Sequence, residues 1–477
     1  MTRTQHPRPG RANLWRHHDF MKLWTAETVS ELGTQVTVLA LPLAAIGPLH
    51  ATPFEVGSLT TAEFLPFILV GLPAGVWVDR LRRRPILIAG DLGRAAILGS
   101  VPLAWALHVL YLWQLYAAAF LAGICTVLFD VSYQAYLPSL VERDELVEGN
   151  SKLEASRAGA QLAGPALGGF LVQLLRAPVA ILADALSYLW SAFWVFLIRK
   201  PEPPVEVPAG GHPPIRSDVR TGLRYVWRHP LLRPIALATG SSNFFGSMLF
   251  AIIVLFAVRA LHLSAGEIGL ALAVGNIGFL IGALLARRIA DWVGIGRAIV
   301  GSIGLSAPAW LLLPTATRSD GFAILSVAGF VSSFGGLAIY NINQVSLRQA
   351  ITPLRMQGRM NATMRFMVWG TMPVGSFTGG ALASNLGLRP TLWIAAVGGL
   401  FAFLPPLFSP VRTLRRIPAR EEEPPAEAAG AGPGGAEDGT LGRGQQQAER
   451  ESGRAHTQPR RSAAKPGEGA VGQQPCS

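Results

Sequence analysis

Acidic and amide side chains recur about one helical turn apart inside long apolar stretches of this chain. Glu27, Glu31 and Gln35 share one helical face, as do Thr126, Asp130 and Gln134, and Thr239, Asn243 and Ser247. Asn341, Gln344 and Arg348 follow the same pattern at spacings of three and four. A carboxylate in apolar surroundings is costly unless paired or neutralised, so desolvation favours its protonated form and equips it to carry a proton. Glu31, roughly 13 Å into its run at a helical rise of about 1.5 Å per residue, is the first candidate for that role. Glu63, Asp184 and Glu27 follow it. Each could instead be a structural acid paired with a buried arginine such as Arg94, Arg157 or Arg365. Phe129, Tyr133, Phe244, Phe245, Tyr340 and Trp369 lie near the stripes and would give a cavity an apolar lining.

The elements that hold these side chains are membrane spans. Half of the 477 residues are hydrophobic and 15% are charged, too few for a soluble chain of this length. A span needs roughly 20 mostly apolar residues. Twelve stretches qualify, at about 22–48, 56–78, 85–106, 110–136, 155–175, 178–198, 234–258, 266–286, 297–317, 321–346, 361–384 and 389–409. The net charge of +12 does not point to nucleic acid, because the basic residues concentrate in alternate short segments between apolar runs. Both termini then fall in the cytoplasm. The apolar run after Arg3, Arg8, Arg11 and Arg16 is too long for a signal peptide and is expected to remain as the first span. Cys125 and Cys476 provide neither a disulfide framework nor metal-ligand spacing, and no cofactor is expected. No nucleophile triad, phosphate loop or histidine cluster points to an enzyme.

Two features mark an internal repeat. GVWVDRLRRRP, residues 75–85, ends an apolar run in one acid and four arginines, and GALLARRIADWVGIGR, residues 282–297, is a weaker copy. Arg157 and Pro165 are echoed by Arg365 and Pro373, each 208 residues on, and glycine pairs follow at Gly168 and Gly169 and at Gly379 and Gly380. The expected fold is an all-α integral membrane protein of 12 transmembrane helices in two six-helix pseudo-symmetric bundles, residues 1–198 and 233–410. Residues 199–232 join them as a cytoplasmic linker, in which Val219, Leu223, Val226 and Trp227 form one face of a helix on the membrane surface. Residues 411–477 are expected to be a disordered cytoplasmic tail.

Asp79 at a membrane mouth can meet the positive end of a neighbouring helix, and Arg80 can pair with Asp130, forming a latch that opens when the mouth opens. Arg82, Arg83 and Arg84 signal topology. In AGAQLAGPALGG, glycines let backbones approach closely and the proline bends the span.

With twelve spans, a long central linker and these two motifs, residues 15–410 resemble the major facilitator superfamily of secondary transporters. The loop motif of that family matches at Gly75, Asp79, Arg80, Arg83 and Arg84, and departs at Arg82, where glycine is usual. Its antiporter signature matches at Gly164, Pro165, Gly168 and Gly169, with Ala160 in place of a further glycine. LPSLVERDELVEGNSKLEASR and ALPLAAI look most like the macrolide-efflux and enterobactin-exporter branch. The resemblance implies that spans one, four, seven and ten line a central cavity. Gln35, Thr126, Tyr133, Gln134, Asn243, Tyr340, Asn341 and Gln344 are then the substrate-cavity candidates. The expected function is proton-coupled export of a hydrophobic drug-like or siderophore-like molecule by alternating access, by a functional monomer in a bacterial inner membrane. Its partners would be the lipid bilayer, the small-molecule substrate and protons, with no nucleic acid. A solute–proton symporter, or a sensor or scaffold that no longer transports, are the alternatives.

Overall fold

Apolar runs fold as helices because a chain crossing lipid must satisfy its own backbone hydrogen bonds. The computed structural model describes residues 14–142, 145–202 and 215–417, excluding the side chains of Leu72, Val76, Asp79, Arg80, residues 215–219, Leu354 and Arg355. The first helices are α1 (His18–Ile46), α2 (Pro53–Leu69), α3 (Gly71–Arg80), α4 (Arg83–Ala106), α5 (Leu112–Leu140), α6 (Leu146–Leu175) and α7 (Ala177–Phe196). A short α8 (Ile215–Arg228) precedes α9 (Leu232–Arg259), α10 (Ala265–Val293), α11 (Ile295–Trp310) and α12 (Gly321–Ser332). After a π-helical segment, Ser333–Tyr340, come α13 (Asn341–Ile351), α14 (Leu354–Trp369), α15 (Thr371–Leu386), α16 (Leu388–Leu400) and α17 (Leu404–Leu407).

Among the described residues, 10 helical segments are long and apolar enough to cross a membrane. The expected second and eleventh spans are absent from that set because each is broken. Helices α2 and α3 meet at Val70, and α14 and α15 at Gly370. Pro73 and Pro373 contribute to both breaks, since neither can donate to the carbonyl four residues earlier, at Leu69 and Trp369, although Pro42, Pro102, Pro138 and Pro165 sit inside continuous helices. The two breaks face each other, with the rings of Phe67 and Trp369 5.1 Å apart.

The repeat is visible in local chemistry. The Thr52 amide bonds to Glu55 at 2.7 Å and the Ser264 amide to Glu267 at 2.8 Å, so matching capping boxes start α2 and α10. Two residues earlier, His50 (φ 51°) and His262 (φ 57°) both take the left-handed conformation.

Close backbone approach joins α1–α7 to the helices after α8. Gly57 of α2 lies against Gly380 of α15, and Gly169 of α6 against Gly269 of α10. Arg259 donates to the Ala51 carbonyl at 2.7 Å at the same end, where α2 and α10 begin. Any Cβ at Gly57 would come within 2.9 Å of the Gly380 nitrogen, which is why glycine is required there. Beyond α17 the chain remains ordered: Pro410–Thr413 forms a turn, and the Gly296 amide donates to the Leu414 carbonyl at 2.9 Å. The expected tail therefore begins with a segment docked on α11. Residues 418–477 lie outside the described residues.

Candidate functional site: a buried charge cluster

Apolar helices α1, α4, α5, α6 and α7 bring charged side chains together. Arg94 of α4 is its centre: its guanidinium lies 2.5 Å from Asp91, with side chains 6% and 0% exposed. The guanidinium is held between two aromatic faces, 4.2 Å from the Phe129 centroid and 4.1 Å from that of Tyr188. Tyr188 is fixed in turn by a 2.7 Å hydrogen bond with Thr34 of α1. Arg94 also attracts Asp130 of α5 and Glu27 of α1. Arg157 of α6 reaches Glu31 at 3.6 Å. Arg157 is 56% exposed, so Glu31 lacks the buried arginine that a structural acid would have, and Glu27 keeps Oε2 buried without a hydrogen bond among the described residues. The Tyr133 ring stacks on Phe129 at 6.1 Å.

Asp184 of α7 is fully buried and accepts from the Ser187 hydroxyl at 3.2 Å. Gly33 permits this position: a Cβ there would lie 2.7 Å from Asp184 Oδ1. Glu63 lies apart from the cluster. Its side chain forms no ion pair or hydrogen bond among the described residues, and its carbonyl lies where Gly123 of α5 packs on α2. Asp130 is attracted by Arg94, Arg157 and, from α14 beyond the central linker, Arg365. The side chains of Asp79 and Arg80 are outside the described set, so the expected Arg80–Asp130 pair lies outside the described residues.

The polar groups that the later helices place between them are hydroxyls and amides. Thr239 and Tyr340 share a hydrogen bond of 2.5 Å, Gln344 donates to Asn341 at 2.8 Å, and Asn243 donates to the Val368 carbonyl at 3.1 Å. Asn341 and Gln134 are exposed, Thr126 is half-buried, and Gln35 rests its stem against Gly164. Gly164 and Gly168 of the GPxxGG segment face α1, while Gly169 and the Pro165 carbonyl face α10, so the motif has a partner on each side.

The arginine run after α3 also has a specific structural role. Glu202 accepts from the Arg83 amide at 2.8 and 2.9 Å and from the Arg84 amide at 3.3 Å, capping α4. Arg83 also pairs with Glu202 at 3.5 Å, and Arg84 donates to the Phe196 carbonyl at 2.6 Å. Gly75 has no neighbour within 4 Å where its Cβ would be, and Arg82 is exposed. Asp91, Tyr188, Gly33 and Glu202 were not singled out from sequence. Asp91 and Arg94 were visible as an acid and a base three apart in one apolar run, the spacing of a helical ion pair.

Ten long apolar helical segments that hold charges between them and pack against each other through glycines define a multi-pass membrane protein. The chain belongs to the transmembrane secretion effector family of major facilitator transporters, whose sequence profile matches residues 12–428. It is 25% identical over 397 residues to the multidrug efflux pump Tap of Mycolicibacterium fortuitum, covering 79% of this chain and 93% of Tap. It is 27% identical over 404 residues to the enterobactin exporter EntS of Citrobacter koseri, covering 79% and 86%. Among solved structures, the nucleoside transporter NupG superposes with a TM-score of 0.67 at 10% identity, over 82% of this chain and 99% of that one. At that identity the likeness concerns the fold.

Proposed function

We propose that this transporter is a proton-coupled exporter of an amphipathic drug-like or siderophore-like molecule. The observation that carries this reading is the imbalance of the cluster: the five carboxylates of Glu27, Glu31, Asp91, Asp130 and Asp184 face the three arginines Arg94, Arg157 and Arg365. Surplus buried acids are tolerated when protons neutralise them, and a cluster that gains and loses protons as access alternates couples a gradient to transport. Tap and EntS, an efflux pump and an exporter by name, favour the outward direction.

The broken pairs α2–α3 and α14–α15, each counted as one span, bring the 10 intact segments to twelve. An even number puts both termini on one side, and the arginines after α3 favour the cytoplasm. The glycine contacts then close the outer mouth, leaving the cluster accessible from inside. Residues 1–198 and 233–410 act as the two rocking bodies, in a monomer. Asp79 and Arg80 latch the inner mouth in the opposite state, and GPxxGG keeps the seam tight against leak. Gln35, Thr126, Tyr133, Gln134, Asn243, Tyr340, Asn341 and Gln344 contact the substrate.

Transport into inverted vesicles, with candidate drugs and siderophores and with or without a proton gradient, tests the reading. Uptake should need the gradient and fall at least tenfold in Glu31→Gln, on the scale of about 1.4 kcal/mol or more of lost coupling. Uptake indifferent to both the gradient and the substitution ends the coupling claim. Movement in the opposite direction makes the protein a symporter.

A further inference from the structure

Helix α8 has 14 residues, too few to span a bilayer, and its two faces differ. One face is occupied by packing. Val226 is fully buried in a cluster with Met360 and Met364, and Gly222 lies 2.9 Å, measured from its would-be Cβ, from the Arg359 carbonyl oxygen. Both contacts are with α14, the first half of a broken span. The opposite face carries Arg220, Leu223, Arg224, Trp227 and Arg228, spaced three and four apart in one stripe, all exposed. Leu223 is 44% and Trp227 46% exposed. Arg233, at the start of α9, places its guanidinium 5.1 Å over the Trp227 ring. No acid occurs between Arg220 and Arg233.

Cationic and apolar side chains interleaved on one exposed stripe match the boundary layer of an anionic leaflet. Leucine and tryptophan enter the acyl edge, and guanidiniums hold phosphate oxygens in bidentate fashion. A soluble polyanion would satisfy the arginines but leave Leu223 and Trp227 in water. We propose that this stripe binds anionic phospholipid headgroups and, through Gly222 and Val226, tethers α14 to the membrane surface.

The test is hydrogen–deuterium exchange of the full chain in phosphatidylcholine vesicles with and without phosphatidylglycerol. Each arginine near an anionic surface strengthens attachment on the order of fivefold. Exchange in residues 220–228 should therefore slow by on the order of tenfold or more when phosphatidylglycerol is present. The slowing should vanish in the triple variant Arg220→Gln, Arg224→Gln, Arg228→Gln and survive in the corresponding triple lysine variant. Raising salt to about 1 M should abolish it in the unmodified chain, a check that needs no substitution. Equal exchange in the two vesicles, or slowing that persists in the glutamine variant, overturns the binding. Equal slowing by soluble glycerol phosphate assigns the stripe to free phosphate and overturns the lipid assignment. Unchanged exchange in α14 while α8 is protected overturns the tether. Because exchange is the readout, the outcome is independent of whether the protein exports.

Discussion

Between residues 233 and 410 the acids are Glu267, Asp291 and Asp320, all at helix ends or in a turn, whereas α1–α7 fully bury Asp91 and Asp184 and half-bury Glu27, Glu31 and Asp130. The two regions nevertheless share their packing. Gly57 meets Gly380 as Gly269 meets Gly169, and matching capping boxes start α2 and α10. Packing and chemistry have thus diverged separately within one repeat. Close helix contact needs small residues on both sides of a seam, so the glycines recur. A buried charge is costly wherever it is placed, so the cluster is built once, where Arg94 and Arg157 are available to offset it.

The largest test of this contrast is Arg94→Met. It leaves Asp91 without its 2.5 Å partner and removes the cation between Phe129 and Tyr188. Breaking one side of a buried pair costs about 3–5 kcal/mol, so the variant should melt well below the parent in detergent. Adding Asp91→Asn should recover part of the loss. A melting temperature unchanged by Arg94→Met would mean that the cluster is not held together electrostatically.

Gly33→Val comes next, because a side chain at that position collides with Ser187 and Asp184. Overpacking of this kind costs about 1–3 kcal/mol. It should also displace Asp184 from α1, so thermal stability and the pH profile of transport should change together. Stability falling alone would separate Asp184 from coupling.

The acids and glycines differ in how readily sequence reveals them. Glu27 and Glu31 are legible because a four-residue spacing survives any packing of the helix. Their neighbours across the bundle are not, because Thr34 with Tyr188 and Glu31 with Arg157 depend on how α1 meets α6 and α7. Glu202 is hidden for a related reason: it lies in a Pro-rich link, and only the fold returns it to the start of α4. The span breaks were legible in part. Pro73 and Pro373 each predict a missing hydrogen bond, but the meeting of Phe67 with Trp369 at 5.1 Å is a tertiary fact.

Tyr340→Phe probes the later helices, where hydrogen bonds replace charge. It removes the hydroxyl that shares a 2.5 Å bond with Thr239. The cost should be about 1 kcal/mol, read as a small fall in melting temperature, with substrate affinity changed and the proton dependence of transport intact. A shift in that dependence as large as the one caused by Glu31→Gln would extend the coupling chemistry past α8 and dissolve the contrast.

Asp320 offers the smallest effect and the cleanest control. The Thr317 amide donates to its Oδ1 at 2.6 Å and the Thr317 hydroxyl at 2.8 Å, and these bonds hold the carboxyl below its ordinary value of 3.8. A depressed value means that the folded turn prefers the ionised form. Its contribution is therefore complete above the ordinary value and is lost as the pH falls through the lower, folded one. Protection of the Thr317 amide should persist from neutral pH down to about 4 and disappear only in stronger acid. Asp320→Ala, which removes the acceptor, should abolish that protection at neutral pH while leaving the melting temperature and the pH profile of transport unchanged. If the transport profile moved instead, an exposed acid in a turn would be doing what the buried acids of α1–α7 are proposed to do, and burial would no longer distinguish the two regions.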